Sequence, residues 1–297
     1  PSQWKDLLKY NAWIKDPNSL EPGKEIKIPY DLLKKTLLEA KVQKVYGDVM
    51  VKSQDGWQKA VENQTLKQND FIKTGKNSQA VLEVPRNNNL LIEPETEIAL
   101  SKLIESPFEK STKTTVEIIR GKIKAVVGKI FGKSEFSVKT PSGVSLIRGT
   151  EFKTRAGEEE TYLEVYEGKV VEENEFGSVL VPENFGTKVE KGKEPLKPRQ
   201  LPTPPIPNPE ETEVVIASKE GAYLSWQEVK NAVEYRVQIS KDKEFFNLVE
   251  EKSTRDNFIV ISNYSEGIYY WRVISKDDVG LESKPGEIRT LLFPEID

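Results

Sequence analysis

The sequence predicts a mainly β protein built from several units, and three observations support this fold class. Short segments in which apolar and polar residues alternate recur along most of the 297 residues. Turn residues separate these segments about every ten positions, which is typical of a sandwich, a barrel or a solenoid. A unit of glycine, a charged residue and an aliphatic residue also repeats at positions 46–49, 120–123 and 167–170. Repeats of one strand-turn unit indicate a single architecture across the central part of the chain.

The composition narrows the classes of function. The chain contains no histidine and no cysteine, so it lacks the usual general base and the commonest metal ligand. Thiol nucleophiles, zinc–thiolate sites and iron–sulfur clusters are excluded as well. The 44 basic and 48 acidic residues give a net charge of -4, which disfavours a nucleic-acid partner. We therefore predict a protein that is not an enzyme and that uses no cofactor and no metal ion.

Residues 1–29 are predicted to form a helix and then a short strand. Trp4, Leu7 and Leu8 recur at helical spacing, and residues 24–29 alternate like a strand that stops at a proline. The strings WKDLLKYN (4–11), DPN (16–18) and PGKEIKIP (22–29) resemble the second half of a LysM domain. The first strand and first helix of that family would lie before Pro1. A helical connector is expected over residues 30–39.

The LysM resemblance implies affinity for polymers that contain N-acetylglucosamine, chiefly peptidoglycan. In that family the glycan lies in a shallow groove between two loops, and only the second of these loops is present here. The resemblance makes its residues the glycan-binding candidates, namely Ile14, Asp16, Asn18, Ser19 and Leu20. A second interpretation is equally favoured, in which the D-P-N sequence only makes a tight turn.

Residues 40–195 are predicted to form one all-β domain, either a sandwich or a solenoid. The strings FSVKTPSG (136–143), IRGTEF (147–152) and VYEGKV (165–170), with DFIKTG (70–75) upstream, resemble a FecR-type domain. FecR-type proteins in some bacteria sense an outer-membrane receptor and control a sigma factor. The resemblance therefore implies a protein-binding surface.

Arg148 is the candidate for binding a protein partner. Its alternative role is a salt bridge with Glu151 or Glu167, which we favour. Acidic runs at 158–160 and 172–173 are expected to be solvated turns that keep strand edges from pairing with neighbours. The string GKIFGKS (128–134) approaches a phosphate-binding loop, but it has one residue too few and no helix following it, so a β-turn is expected.

The last part of the chain is predicted to be a linker and a second β domain. Prolines are frequent over residues 196–211, which favours a semi-rigid polyproline spacer about 40 Å long that holds two domains apart. Residues 212–297 contain Trp226, a tyrosine-led strand at 235–240 and another strand at 267–273. This order resembles a fibronectin type III-like β-sandwich, in which aromatic residues fill the space between two sheets.

These features together predict a non-enzymatic periplasmic scaffold of the cell envelope. It would bind peptidoglycan through the LysM-like segment and protein partners through its β domains, with a flagellar or secretion assembly as one setting. Two alternatives remain open, a FecR-type transmembrane relay that regulates a sigma factor and the non-catalytic part of a wall hydrolase. No run of residues reaches the roughly 20 apolar positions of a membrane-spanning helix. The chain starts at Pro1 without methionine, so we expect a processed or trimmed form.

Overall fold

The computed structural model describes residues 4–16, 18–29, 35–106, 111–128, 132–218 and 220–295. In these ranges the chain is almost entirely β, as predicted, and α1 (Trp4–Tyr10) is the single α-helix. No helix among them is long and apolar enough to cross a membrane. Three parts follow one another, which we call the N-terminal segment (4–29), the large β-unit (36–200) and the C-terminal sandwich (207–293).

The N-terminal segment is held together by Asn11. Its side-chain amide donates to the carbonyl oxygens of Leu7 at 2.8 Å and Lys27 at 2.7 Å, and its oxygen accepts the Lys27 N–H at 2.7 Å. These bonds fasten the end of α1 to the stretch that follows the turn. The predicted helix is confirmed. Residues 24–29 form no regular strand, however, because no described strand lies beside them to pair with.

The large β-unit contains eighteen strands. They are β1 (Thr36–Leu37), β2 (Ala40–Tyr46), β3 (Val49–Ser53), β4 (Gly56–Lys59), β5 (Thr65–Leu66), β6 (Phe71–Thr74), β7 (Gln79–Val84), β8 (Asn88–Ile92), β9 (Glu97–Glu105), β10 (Thr112–Val127), β11 (Glu135–Lys139), β12 (Val144–Ile147), β13 (Thr150–Ala156), β14 (Glu160–Glu167), β15 (Lys169–Asn174), β16 (Gly177–Pro182), β17 (Phe185–Glu190) and β18 (Arg199–Gln200).

Two sheets form the large β-unit and close on each other as a barrel-like sandwich. The open sheet runs β4-β3-β6-β9-β10-β11-β12-β15-β16, with β1 also paired to β9. The covered sheet runs β5-β2-β7-β8-β10-β13-β14-β17-β18. Of the two predicted architectures, the sandwich is therefore correct. Apolar side chains that alternate along the strands fill the space between the sheets, among them Leu82, Ile98 and Phe152, which are fully buried.

The repeated glycine unit marks the corners of this sandwich. Gly47 and Gly168 lie where the chain leaves the covered sheet for the open sheet, and Gly121 lies inside β10, where that strand passes from one sheet to the other. All three have positive φ, which glycine adopts without strain. At Gly121 a Cβ atom would also lie 2.4 Å from Thr96 Oγ1. The repeat predicted from the sequence is thus a corner rather than one rung of a solenoid.

The helical prediction for residues 30–39 is wrong where the structure tests it. Residues 30–34 lie outside the described ranges, and Thr36–Leu37 form β1. The Leu38 N–H then donates to the Leu103 carbonyl at 2.9 Å, so the chain continues along the edge of β9. Pairing with an available strand edge outweighs the helical preference of the leucines, because local propensity is a weak signal.

The C-terminal sandwich has the predicted fibronectin type III-like architecture. Its strands are β19 (Pro207–Asn208), β20 (Val214–Ile216), β21 (Ala222–Trp226), β22 (Ala232–Ser240), β23 (Leu248–Thr254), β24 (Phe258–Ile261), β25 (Gly267–Asp277) and β26 (Arg289–Phe293). A three-stranded sheet, β19-β21-β24, faces a five-stranded sheet, β20-β26-β25-β22-β23. Trp226 and Trp271 are fully buried between them, and Trp226 packs edge-on against Tyr235 with ring centroids 5.3 Å apart. The predicted aromatic core is confirmed.

The prediction that the proline-rich stretch is a spacer is wrong. Leu201 is buried against Tyr166 of the large β-unit and Leu281 of the C-terminal sandwich. The Ser275 hydroxyl donates to the Thr203 carbonyl at 2.7 Å. A polyproline chain has no internal hydrogen bonds, so its carbonyl oxygens are available to neighbours. The stretch therefore lies along the boundary between two units that are in direct contact.

Candidate protein-interaction surface

The C-terminal sandwich packs on the outer face of the covered sheet. Tyr46 stacks on Phe246 with ring centroids 4.7 Å apart, and the Gln79 amide donates to the Phe245 carbonyl at 3.0 Å. Gln79 is 95% buried as a result, with a relative exposure of 5%. This face of the large β-unit is thus occupied by the chain itself and is not available to another protein.

Charged side chains form the centre of the same contact. We call this group the interdomain cluster, and it consists of Glu93, Lys122, Lys153, Arg155, Glu164, Arg236, Glu251 and Glu282. Glu282 of the C-terminal sandwich meets Lys153 at 3.3 Å, Arg155 at 3.6 Å and Arg236 at 2.6 Å. Lys153 also lies 3.2 Å from Glu93.

The cations of the interdomain cluster stabilise the charged forms of Glu251 and Glu282, whereas at Glu164 burial outweighs Arg155 and raises the pKa. Burial by itself raises the pKa of Glu251, yet Arg236 and Lys122 lower it to about 2. The pKa of Glu282 is also lowered, because four cations, Lys153, Arg236, Arg155 and Lys122, outweigh its desolvation. Buried charges are tolerated when each faces a partner, and removing one partner leaves the others uncompensated. The cluster therefore fixes the C-terminal sandwich in one position on the covered sheet.

No described element covers the outer face of the open sheet around a groove of about 600 Å³. We define the groove by its lining residues, which are Ser134, Glu135, Phe136, Leu146, Ile147, Arg148, Lys169, Val171 and Leu180. Leu146, Val171 and Leu180 are direct cross-strand neighbours on β12, β15 and β16. Leu146 is 41% exposed and Leu180 is 54% exposed. An apolar row of this kind on a solvent-facing sheet is typical of an interaction surface.

Arg148 lies at one end of the groove, with Lys169 beside it. Ile147 pairs with Val170, so Arg148, which directly follows β12, lies beside Lys169, the first residue of β15, and the two cations share the outer face. The favoured salt bridge of Arg148 with Glu151 or Glu167 is not formed among the described residues. Glu151 instead lies 2.7 Å from Lys124 and 3.4 Å from Lys284. The partner contact stays a prediction for Arg148, and Lys169 is the residue that sequence reasoning missed.

The glycan-binding candidates lie together in one loop of the N-terminal segment. Asp16, Asn18, Ser19 and Leu20 are exposed, and Ile14 is half-buried. Asp16 Oδ1 accepts the Asn18 N–H at 2.9 Å, and the Asp16 carbonyl accepts the Ser19 N–H at 3.1 Å. These bonds make a tight turn, as the second interpretation expects, and glycan binding by the loop stays a prediction.

Three of the acidic residues predicted to form solvated turns lie in strands instead, Glu160 at the start of β14 and Glu172 and Glu173 in β15. Glu158 and Glu159 are exposed in the turn before β14, as expected, whereas Glu172 is fully buried in β15. It faces the space between the sheets, because it alternates with the outward Val171, and it accepts a hydrogen bond from the Ser145 hydroxyl. Burial raises the pKa of Glu172 to about 7.

The string that approaches a phosphate-binding loop is only partly described. Residues 129–131 lie outside the described ranges, so the turn predicted there is not tested.

One region of the large β-unit matches a known protein family. Residues 70–171 match the model of the FecR protein family. This FecR-type region covers about a third of the chain and includes β11, β12 and the first half of β15, which form much of the groove. It ends before β16, so Leu180 and the free side of that strand lie outside the match. No curated protein matches the chain.

Several solved structures resemble parts of the chain at low identity. Two are crystal structures of a protein assigned as an anti-sigma factor from Parabacteroides distasonis, 18% and 16% identical, with TM-scores of 0.37 and 0.38. They match 44% and 49% of this chain, which spans 59% and 77% of theirs. A Fn3-like protein from Clostridium thermocellum is 19% identical over 32% of this chain and 94% of its own, with a TM-score of 0.24.

Proposed function

We propose that this protein is a non-enzymatic, FecR-type signal-relay protein of the cell envelope, which receives a protein partner on its open sheet. One observation carries the proposal: the FecR-type region builds most of a groove on the sheet face that the C-terminal sandwich leaves uncovered. FecR-type proteins in some bacteria sense an outer-membrane receptor and control a sigma factor. A surface for a receptor or for a sigma-regulating protein is what such a relay needs.

The described acidic groups support a role in binding rather than in catalysis. Acid–base chemistry uses two titratable groups in different environments across an accessible cleft. Within the interdomain cluster, Glu164 and Glu282 are instead buried against cations, where a substrate has no access, and the more exposed Glu251 is held by Arg236 and Lys122. The sequence also supplies no histidine and no cysteine. The groove itself offers apolar surface and two cations, which suit recognition of another protein.

Site-specific photo-crosslinking in the protein's own cells tests this proposal. A photoreactive residue replaces Leu146 in the groove of the full-length protein, and a matched control replaces Ile268, which is 54% exposed on the C-terminal sandwich. We expect a defined protein adduct at Leu146 and none at Ile268. The substitution Leu146→Glu should also change transcription that depends on a sigma factor. Equal labelling at both positions, or unchanged transcription, would contradict the proposal.

A wall-binding scaffold is the second candidate, and the N-terminal segment favours it. Asn11 fastens α1 to the stretch around Lys27, which presents the exposed loop of candidate residues on a folded support. Co-sedimentation with purified peptidoglycan sacculi tests this function. We expect the full chain to pellet, and a chain that begins at Thr36 or carries Leu20→Asp to stay in solution. If all three behave alike, the segment does not bind the wall.

A further inference from the structure

The groove is bordered by the free edge of β16. A protein that bound only to the apolar face of the groove would not use this edge. β16 pairs in register with β15 on one side, and among the described strands no pairing register joins its other side, although β17 lies close by. Its sequence, GSVLVP, contains no charged residue. Exposed strand edges usually carry lysine or other charges that prevent pairing with another chain. The edge of β16 carries no charge, and its one proline, Pro182, lies at its end, so the residues before it are available for one more strand.

The length of the free edge sets the size of what it accepts. At one end, Asn174 donates to the Lys193 carbonyl at 2.7 Å, and Gly177 lies against Glu194 and Pro195. At the other end, Pro182 has no N–H to donate. Residues 178–181 remain between these ends, about 13 Å at the usual rise per residue. This length fits a short extended segment rather than a whole sheet.

The charges beside this edge favour an acidic segment. Lys169 is the cross-strand neighbour of Pro182, so the two cations of the groove lie at the proline end of β16. Neither Arg148 nor Lys169 has a carboxylate within 4.0 Å among the described residues. Of the acids near these cations, Glu135 is engaged with Lys113 at 3.0 Å and Glu183 accepts the Gly168 N–H at 3.5 Å, while Glu173 lies on the outer face opposite Ser178, at the other end of β16. The groove is thus positive on a protein whose net charge is -4.

We propose that the groove binds an extended, acidic segment of a partner protein, which adds to β16 as an additional strand. Its backbone pairs with residues 178–181, its apolar side chains lie on Leu146 and Leu180, and its carboxylates meet Arg148 and Lys169. Strand addition of this kind takes affinity from the main chain and specificity from side chains that contact the groove. The proposal rests on the proposed function, because it names the chemistry of the partner that the open sheet receives.

A second copy of this chain satisfies these features less well than an acidic segment. Two β16 edges pair their backbones equally well, but each copy brings the same two cations to the groove, and the one carboxylate of the groove lining, Glu135, is engaged with Lys113. Charge complementarity across an interface sets specificity, so this pairing leaves both cations without partners.

Synthetic peptides test the proposal on the full chain. Each probe is a fluorescently labelled hexapeptide of alternating threonine and valine with two glutamates at its amino or carboxyl end. Controls replace glutamate by glutamine, or carry N-methyl groups at alternate amides, which block strand pairing. We expect at least one acidic peptide to bind and to protect the β16 amides from hydrogen exchange. Both kinds of control peptide should bind about tenfold more weakly or not at all.

Charge reversal supplies the matched protein variants. The double variant Arg148→Glu with Lys169→Glu should no longer bind the acidic peptide and should instead bind a peptide in which lysines replace the glutamates. The control double variant Lys230→Glu with Arg255→Glu makes the same change in net charge on exposed positions of the C-terminal sandwich and should bind like the original protein. Circular dichroism checks that both variants fold.

The outcomes separate this proposal from the proposed function. Strand addition is overturned if the affinity stays the same when the glutamates are replaced, when the amides are N-methylated or when the charges of the groove are reversed. Dimerisation that protects β16 without any peptide identifies a second copy as the occupant and also overturns it. If peptides fail while photo-crosslinking at Leu146 captures a receptor or sigma-regulating protein, the relay function stands and strand addition falls. If peptides bind as expected but crosslinking captures no protein, β16 does bind acidic strands, but the proposed relay function falls.

Discussion

Replacing Glu172 by glutamine is expected to stabilise the large β-unit near neutral pH and to change little in acid. Glu172 lies inside the sandwich, where its Oε1 has no hydrogen-bond partner among the described residues and its other oxygen accepts from Ser145. Gly143 makes room for it, since a Cβ there would lie 2.5 Å from Oε1. Glutamine keeps the shape and the hydrogen bond to Ser145 but carries no charge at any pH.

The size of the effect follows from the pKa of Glu172. Burial raises it from 4.5 to about 7. A raised carboxyl pKa means that the folded state holds the proton more tightly than the unfolded state does, so stability falls as pH rises from 4.5 to about 7. At about 1.4 kcal/mol per pKa unit, the folded state loses about 3 kcal/mol over this range. Glu172→Gln removes that loss.

Hydrogen exchange gives a local measurement of this difference. The free energy of opening β12 and β15 is compared between the original protein and Glu172→Gln at several pH values from about 4.5 to about 8. We expect the variant's advantage to grow by about 3 kcal/mol across this range. The contributions of the other ionisable groups to the free energy of opening cancel in this difference, because both proteins contain them. Glu173→Gln, on the outer side of the same strand, controls for the loss of one carboxyl group. A difference that stays constant with pH would refute the reasoning.

Three further predictions concern the contacts that shape the molecule. Glu282→Gln leaves the cations of the interdomain cluster uncompensated and should destabilise the docked C-terminal sandwich by about 3–5 kcal/mol, measured as a lower Tm in calorimetry; an unchanged Tm would contradict the role of the cluster. Gly121→Ala places a Cβ against Thr96 at positive φ and should cost about 2 kcal/mol or more in urea unfolding, which a variant of normal stability would disprove. Asn11→Ala removes three hydrogen bonds, so amide exchange in α1 should accelerate while the β strands keep their protection. Slow exchange in that helix would show that it is held by other contacts.

The fold class was predictable because it depends on local alternation and on turns. Phe152 and Trp226 are buried where strand patterns place them, and a strand has one simple period. The repeated glycine unit indicated one architecture, although its role as a corner needed the structure. Of the groove, only Arg148 was singled out from the sequence, since β12, β15 and β16 become neighbours only through long-range pairing.

The contact between the two β units could not be predicted from the sequence. Lys153 and Glu282 are far apart along the chain, and a charged residue usually indicates a solvated surface. The proline-rich stretch was predicted to be a spacer because its proline content indicates a stiff chain. Composition does not indicate which residues such a chain contacts in the fold. For Glu172 a signal existed in the sequence. It lies two residues after Val170, and alternation along a strand places both side chains on the inner face of β15.

The sharing of β10 by both sheets has a consequence for how the chain assembles during synthesis. This strand pairs with β8 and β9, which precede it, and with β11 and β13, which follow it. Residues before Thr112 therefore emerge as two unfinished sheets, and neither has its central neighbour until β10 leaves the ribosome. Long-range strand pairing is slow and exposes edges that promote aggregation. The folding nucleus of the large β-unit must then include both sides of Gly121, and the first half of the chain must be kept from association until that strand arrives.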